Sequence, residues 1–285
     1  MKAHLVDELS GMASTVKERP SFLTLSQKTI TVEVGEEEKP FIVHKDLLCY
    51  WSKYFDKALN GPFKEGGKDT IAITDVPPVV FARFLQWLYA QPSMPLLGGN
   101  ITQERVEPQA TVDTIGSTWR LPTQADPEGH IYTKTTEKLL ELYILGDRYD
   151  IRDLMKDVMS ALMIYGALSD WVLAPETAVL AFDNLPRSSP FCRYVVYTYA
   201  YAWRPKPNLD NEVRERNEAM PPELLYEVMT INIRRVIDPN IEEPKDLEDP
   251  CRYHDHDDEA RWCRAQLPQR MMVWNEIVNR LCVDD

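Results

Sequence analysis

The stretch that most constrains the fold is FIVHKDLLCYWSKYF, Phe41 to Phe55, with its continuation LNGPFKEGGKDTIAITDVPPVVFARFLQWLYA. Phe41 to Val43 is a short apolar run that turns at His44-Lys45. Leu47, Leu48, Trp51, Tyr54, Phe55, Ala58 and Leu59 then recur at helical spacing. Ser52 falls where a serine would cap a second helix after a short break. Upstream, Ile30, Val32 and Val34 alternate with Thr29, Thr31 and Glu33, the pattern of a half-buried strand. Gly35-Glu36-Glu37-Glu38 supplies a polar turn, so the two strands are expected to pair as a hairpin. Downstream, Ile71 and Ile73 mark a third strand. Pro77-Pro78 opens a helix whose apolar face is Val80, Phe81, Phe84, Leu85, Trp87 and Leu88, and Pro92 ends it.

From about 91 to 135 the periodicity collapses into Pro, Gly, Thr and Gln, with Trp119 as the one large aromatic. A stretch that long is read as an insertion, with Trp119 either pinning it to the body, the favoured reading, or anchoring a partner. Helical spacing returns with Leu139, Leu142, Tyr143 and Gly146, then Ile151, Leu154, Val158 and Leu162, with a bend expected near Asp150. Further helices are expected over 175–185, from a Ser189-Pro190 cap and first-turn pair to about Trp203, over 222–237, and from Pro268 to Leu281. The division that follows is a lead-in at 1–27, a first domain at 28–165 carrying the insertion, and a helical C-terminal domain at 166–285.

Composition narrows the function classes. The chain has 285 residues, 44% of them apolar, which is enough for a sizeable core. A net charge of −13 argues against bulk attraction to nucleic acid or to an anionic membrane. The acid is concentrated: 238–259 holds ten acidic residues against Lys245 and Arg252, and reads as a solvated loop. Five scattered cysteines do not make a disulfide framework. The segment from Met1 to Pro20 carries no apolar signal region, and the run Val158 to Ser169 is too short to span a bilayer. An intracellular setting, cytoplasmic or nuclear, is therefore expected, with no membrane partner and no direct nucleic-acid contact. The tyrosines of 194–201 have little basic interleaving and are read as core packing.

The segment CRYHDHDDEARWC places Cys251, His254, His256 and Cys263 close together in sequence. Two thiols and two imidazoles are a good donor set for tetrahedral zinc, although the spacing is not that of a standard finger. Four protein ligands leave no open position, so a metal here would be structural. The other reading is an acidic loop whose cysteines pack as small apolar groups. Nucleophile elbows, phosphate loops and dinucleotide fingerprints are absent, so the chain is not expected to be an enzyme. His44 lacks neighbouring partners in sequence and is read as a structural histidine satisfied by the backbone.

Taken in order, Phe41 to Lys45, Leu47-Leu48, Ser52 to Phe55, Phe63 to Glu65, Asp75-Val76, the Phe81 to Tyr89 helix and Leu145-Gly146-Asp147-Arg148-Tyr149 resemble the BTB/POZ family. The resemblance is particularly to fungal BTB-domain proteins. The resemblance implies an α+β fold, a helical cluster flanked by a small sheet, here followed by a mostly α-helical C-terminal domain. It also implies association with a second copy or another BTB protein, in an adaptor or scaffold role. Some members recruit cullin-3 ubiquitin ligases through an apolar residue, any residue and a glutamate, which Phe63 and Glu65 match. Others are transcription-linked regulators, which this chain would serve only through partners. Fungal BTB proteins carry similar Cys…His…Cys stretches near 251–263, which favours the zinc reading: one structural ion held by Cys251, His254, His256 and Cys263.

Overall fold

The alternation at Thr29–Val34 becomes strand β1, whose Ile30, Val32 and Val34 are buried while Thr31 and Glu33 between them are half-buried. The computed structural model describes residues 19–62, 69–91, 112–121, 126, 129–169, 171–203, 211–238, 247, 249–254 and 260–283, leaving aside the side chains of 114, 212, 213, 260–262 and 265. β1 pairs antiparallel with β2, Lys39–His44, and parallel with β3, Thr70–Ile73, so the sheet order is β2-β1-β3. Gly35 makes the hairpin turn at φ +76°, a conformation that glycine adopts without a Cβ penalty.

Two short helices follow: α1, Lys45–Trp51, and α2, Lys53–Asn60. Ser52 caps α2 by accepting the Phe55 backbone N–H at 3.1 Å. Its hydroxyl also donates to the Tyr149 carbonyl at 2.6 Å, so one fully buried serine ties the early helices to the later ones. Helix α3, Pro78–Ala90, begins with its proline in the first turn, where no backbone donor is needed. It buries Val80, Phe81, Phe84, Trp87 and Leu88.

A short α4, Val112–Gly116, lies within the expected insertion, and Trp119 just beyond it is buried, as its pinning role required. Helix α5, His130–Arg148, begins before the expected end of that insertion. It ends in a Schellman motif. Asp150 is left-handed at φ 49°, and the Ile151 N–H returns to the Gly146 carbonyl at 2.8 Å. The bend expected near Asp150 is this motif. It starts α6, Arg152–Ser169, close against α5. A Cβ on Gly146 would stand 2.8 Å from Met155 Cγ, so the approach of the two helices depends on that glycine.

Four more helices follow: α7, Pro175–Asn184, α8, Pro190–Tyr201, α9, Asn211–Glu218, and α10, Pro222–Ile237. A 3-10 turn, Pro250–Tyr253, precedes α11, Ala260–Val283. Two expectations are corrected here. The last helix starts at Ala260, and Pro268 lies inside it rather than at its first turn. Ser189 precedes α8 without capping it; its hydroxyl meets the Tyr143 hydroxyl at 3.3 Å instead. Tyr194, Tyr199 and Tyr201 are buried on α8, in agreement with core packing.

The C-terminal helix packs against α3, α5 and α6, and buried residues from Ile30 to Leu281 form one contiguous cluster. Inside it, Arg270 of α11 makes two hydrogen bonds to the Asp157 carboxylate of α6, at 2.6 and 2.7 Å, and Trp87 Nε1 of α3 donates to the same group at 2.8 Å. Burial works against the Arg270 charge, and Asp157 more than offsets it, so the guanidinium is held more firmly protonated than usual.

Candidate functional site

The 3-10 turn and the first turns of α11 bring Cys251, His254 and Cys263 together, with one ligand atom from each lying within 4.8 Å of the others. Local sequence explains the turn. Asp249 accepts the Cys251 backbone N–H at 3.0 Å and Pro250 occupies the first position. Arg264, one residue after Cys263, donates to the other oxygen of Asp249 at 2.6 Å and ties the turn to α11. Arg193 of α8 donates to the Arg252 carbonyl at 2.6 Å and lies over the Tyr253 ring at 5.4 Å. Both contacts hold the turn against the core. Cys251 and His254 are buried and Cys263 is half-buried.

The imidazole orientation follows from its second partner. His254 Nε2 lies 2.9 Å from Ser160 Oγ of α6, and that hydroxyl donates its own hydrogen to the Lys156 carbonyl at 3.0 Å. Ser160 therefore has only lone pairs to offer, so Nε2 carries the hydrogen. Nδ1 then presents its lone pair toward Cys263 Sγ, 3.2 Å away. An imidazole that turns one nitrogen toward the thiols while its other N–H is held by a polar partner has the arrangement of a ligating histidine. Sulfur and nitrogen ligands of a tetrahedral zinc stand about 3.5 Å apart, given bond lengths of about 2.3 and 2.1 Å. The His254–Cys263 pair, at 3.2 Å, needs only a few tenths of an ångström of adjustment to reach that spacing.

The thiols are inequivalent. The hydrogen bond from Cys263 pulls the Cys251 thiol below its ordinary range, against the opposing effect of burial. The same hydrogen bond, then burial, pushes Cys263 upward. His256, the fourth expected ligand, lies outside the described residues, as do Phe63 and Glu65 and the acidic residues at 239–246.

His44 is structural, with a partner other than the one expected. The Tyr89 hydroxyl, rather than the backbone, lies 3.0 Å from its Nδ1 and accepts its backbone N–H at 3.2 Å. Asp75 accepts from the Tyr149 hydroxyl at 2.5 Å and from Arg148 at 2.8 Å, which explains why Asp75-Val76 and Leu145 to Tyr149 go together as motifs. A cavity of about 260 Å³ beside Tyr132, Tyr165, Trp171 and Cys282 offers one carboxylate, Asp126, already accepting the Tyr132 backbone N–H at 3.0 Å. Within residues 22–79, Phe22, Leu23, Ile42, Tyr54 and Val79 are exposed apolar groups. No helix among the described residues is long and apolar enough to cross a membrane.

Residues 22–103 match the family model of the BTB/POZ domain. No curated protein matches the chain. The fold is accordingly that of a BTB domain, with a three-stranded sheet and helices, followed by a helical C-terminal region. The matched span is shorter than the 28–165 read from motifs, and Leu145 to Tyr149 lie beyond it. BTB domains are in general non-enzymatic protein–protein interaction modules. Sequence reasoning located the Cys/His cluster but missed Ser160, Asp249 and Arg264. Asp249-Pro250 was a readable cap signal; Ser160, 94 residues before His254, gave none.

Proposed function

We propose that this chain is an intracellular adaptor or scaffold that associates, through its BTB domain, with a second copy or with another BTB protein. The supporting observation is the set of exposed apolar residues in the segment that matches the family, above all Ile42 on the outer strand β2, 72% exposed. Among the described residues β2 pairs only with β1, and a strand edge open on one side that carries an apolar side chain is a ready surface for a second chain. Light scattering of the full chain tests this. A dimer that Ile42→Asp dissociates is expected, and a strict monomer at high concentration contradicts it. The likeness to fungal BTB-domain proteins rests on sequence motifs alone, as does the division near residue 165, after which the helical region carries the specific partner site.

A structural zinc ion completes the proposal, held by Cys251, Cys263 and Nδ1 of His254, with His256 as fourth ligand. Its support is the tautomer that Ser160 imposes on His254. Elemental analysis of freshly purified protein should find one zinc per chain, lost in Cys251→Ser; metal-free wild-type protein refutes it. The cullin-3 reading rests on Phe63 and Glu65 as a sequence motif. In a pull-down, cullin-3 should be retained by the wild type and lost with Phe63→Asp; equal binding, or none, removes that reading.

A further inference from the structure

Cys251 and Cys263 are two sulfurs that the fold sets against each other. Their Sγ atoms lie within 4.8 Å, and one thiol hydrogen-bonds to the other. The other three cysteines turn to oxygen instead. Cys49 donates to the Phe55 carbonyl at 3.8 Å, Cys192 to the Ala181 carbonyl at 3.9 Å and Cys282 to the Tyr165 hydroxyl at 3.5 Å. Cys263 is half-buried, so a small solute reaches it from water, whereas Cys251 is 6% exposed. The two segments that carry the sulfurs are also clamped together. Asp249, two residues before Cys251, and Arg264, one after Cys263, form an ion pair at 2.6 Å. A sulfur–sulfur bond of about 2.05 Å would therefore join groups already held side by side, not distant parts of the chain.

We infer that Cys251 and Cys263 are an oxidant-sensitive pair, which a hydroperoxide closes into a reversible disulfide. Cys263, the more open sulfur, attacks one peroxide oxygen. The O–O bond breaks, Cys263 becomes a sulfenic acid, and its thiol hydrogen leaves with the departing hydroxide as water. Cys251 then attacks the oxidised sulfur. The S–O bond breaks, the S–S bond forms, and the second thiol hydrogen leaves with the hydroxyl as a second water. Two thiols give up two electrons, and one hydrogen peroxide is reduced to two waters. A dithiol reductant reverses the change by thiol–disulfide exchange. A sulfenic acid with no thiol in reach goes on to sulfinic acid, which such reductants do not restore. Contact with Cys251 is thus what makes oxidation at Cys263 reversible. One consequence rests on the zinc reading: the disulfide withdraws both sulfur donors, so oxidation releases the ion.

Hydrogen peroxide added to the full chain, before and after treatment with a chelator, tests this. Mass spectrometry after alkylation should find two of the five thiols lost, one Cys251–Cys263 disulfide in the peptide map, and full recovery with dithiothreitol. In the sample not treated with chelator, zinc should be set free in step with the disulfide. In Cys251→Ser no disulfide should form at Cys263, which is recovered instead as sulfinic acid that dithiothreitol does not reduce. Circular dichroism checks that this variant stays folded, and the wild-type peptide map stands without it. Absence of the Cys251–Cys263 disulfide from both samples overturns the inference. So does a disulfide formed through Cys282, or a Cys263 irreversibly oxidised in the wild type. The two readings fail separately. A Cys251–Cys263 disulfide in protein that never held zinc removes the zinc reading and leaves the pair. Zinc-bearing protein whose two thiols survive peroxide after chelation removes the pair and leaves the zinc.

Discussion

Replacing Arg270 with methionine should be among the most damaging single changes in this protein. The Asp157 side chain is 2% exposed and that of Arg270 13%, so the pair is almost wholly out of water. Methionine fills much of the same space but removes both guanidinium hydrogen bonds, leaving the carboxylate with the Trp87 N–H alone. An uncompensated buried charge of this kind costs about 3–5 kcal/mol. For a chain of this length that corresponds to a melting temperature lower by about 5–10 °C. The double variant Arg270→Met/Asp157→Asn leaves no buried charge, and the amide oxygen still accepts from Trp87. Its cost should fall to about 1–3 kcal/mol. Thermal melts of wild type, both singles and the double, followed by circular dichroism, make the comparison. An R270M shift under about 2 °C, or a double variant no more stable than the single, would refute the reasoning.

Three further outcomes are expected. Ser52→Ala removes a helix cap and leaves the Tyr149 carbonyl without its donor, for a loss of about 2–3 kcal/mol in chemical denaturation; Ser52→Thr, which keeps the hydroxyl, should lose less. The Asp75 carboxyl is held below its usual range: burial, the largest single influence, raises it, but hydrogen bonds from Tyr149 and Arg148 together prevail. The unfolded chain therefore binds this proton first. The contribution of Asp75 is present above about pH 4 and is lost as pH falls below it, so stability measured from about pH 5 to about pH 2 should decline less steeply in Asp75→Asn. A chelator should lower the melting temperature of the wild type and leave Cys251→Ser unmoved, since a ligand that binds only the folded state adds to its stability; equal sensitivity would exclude the Cys251 site.

How far the fold could be read in advance depended on whether each signal was local. The alternation in β1 and the prolines at 78, 175, 190 and 222 mark their elements. Strand period and first-turn proline are properties of a few adjacent residues. The same logic misplaced the start of α11, because Pro268 was used inside a helix. It also passed over α9, whose NEVRERNE has no apolar stripe to detect. The donor set at 251–263 was legible from residue type and spacing. The features that orient it, Ser160 and the Asp249–Arg264 pair, were not, because they depend on how α6 and α11 meet. The Asp157–Arg270 pair spans 113 residues and leaves no local trace at all.

Association through the BTB domain is decided by sedimentation equilibrium of the full chain. The expected result is a species of twice the chain mass that Ile42→Asp converts to monomer. A monomer at every concentration, with or without Ile42→Asp, would contradict it.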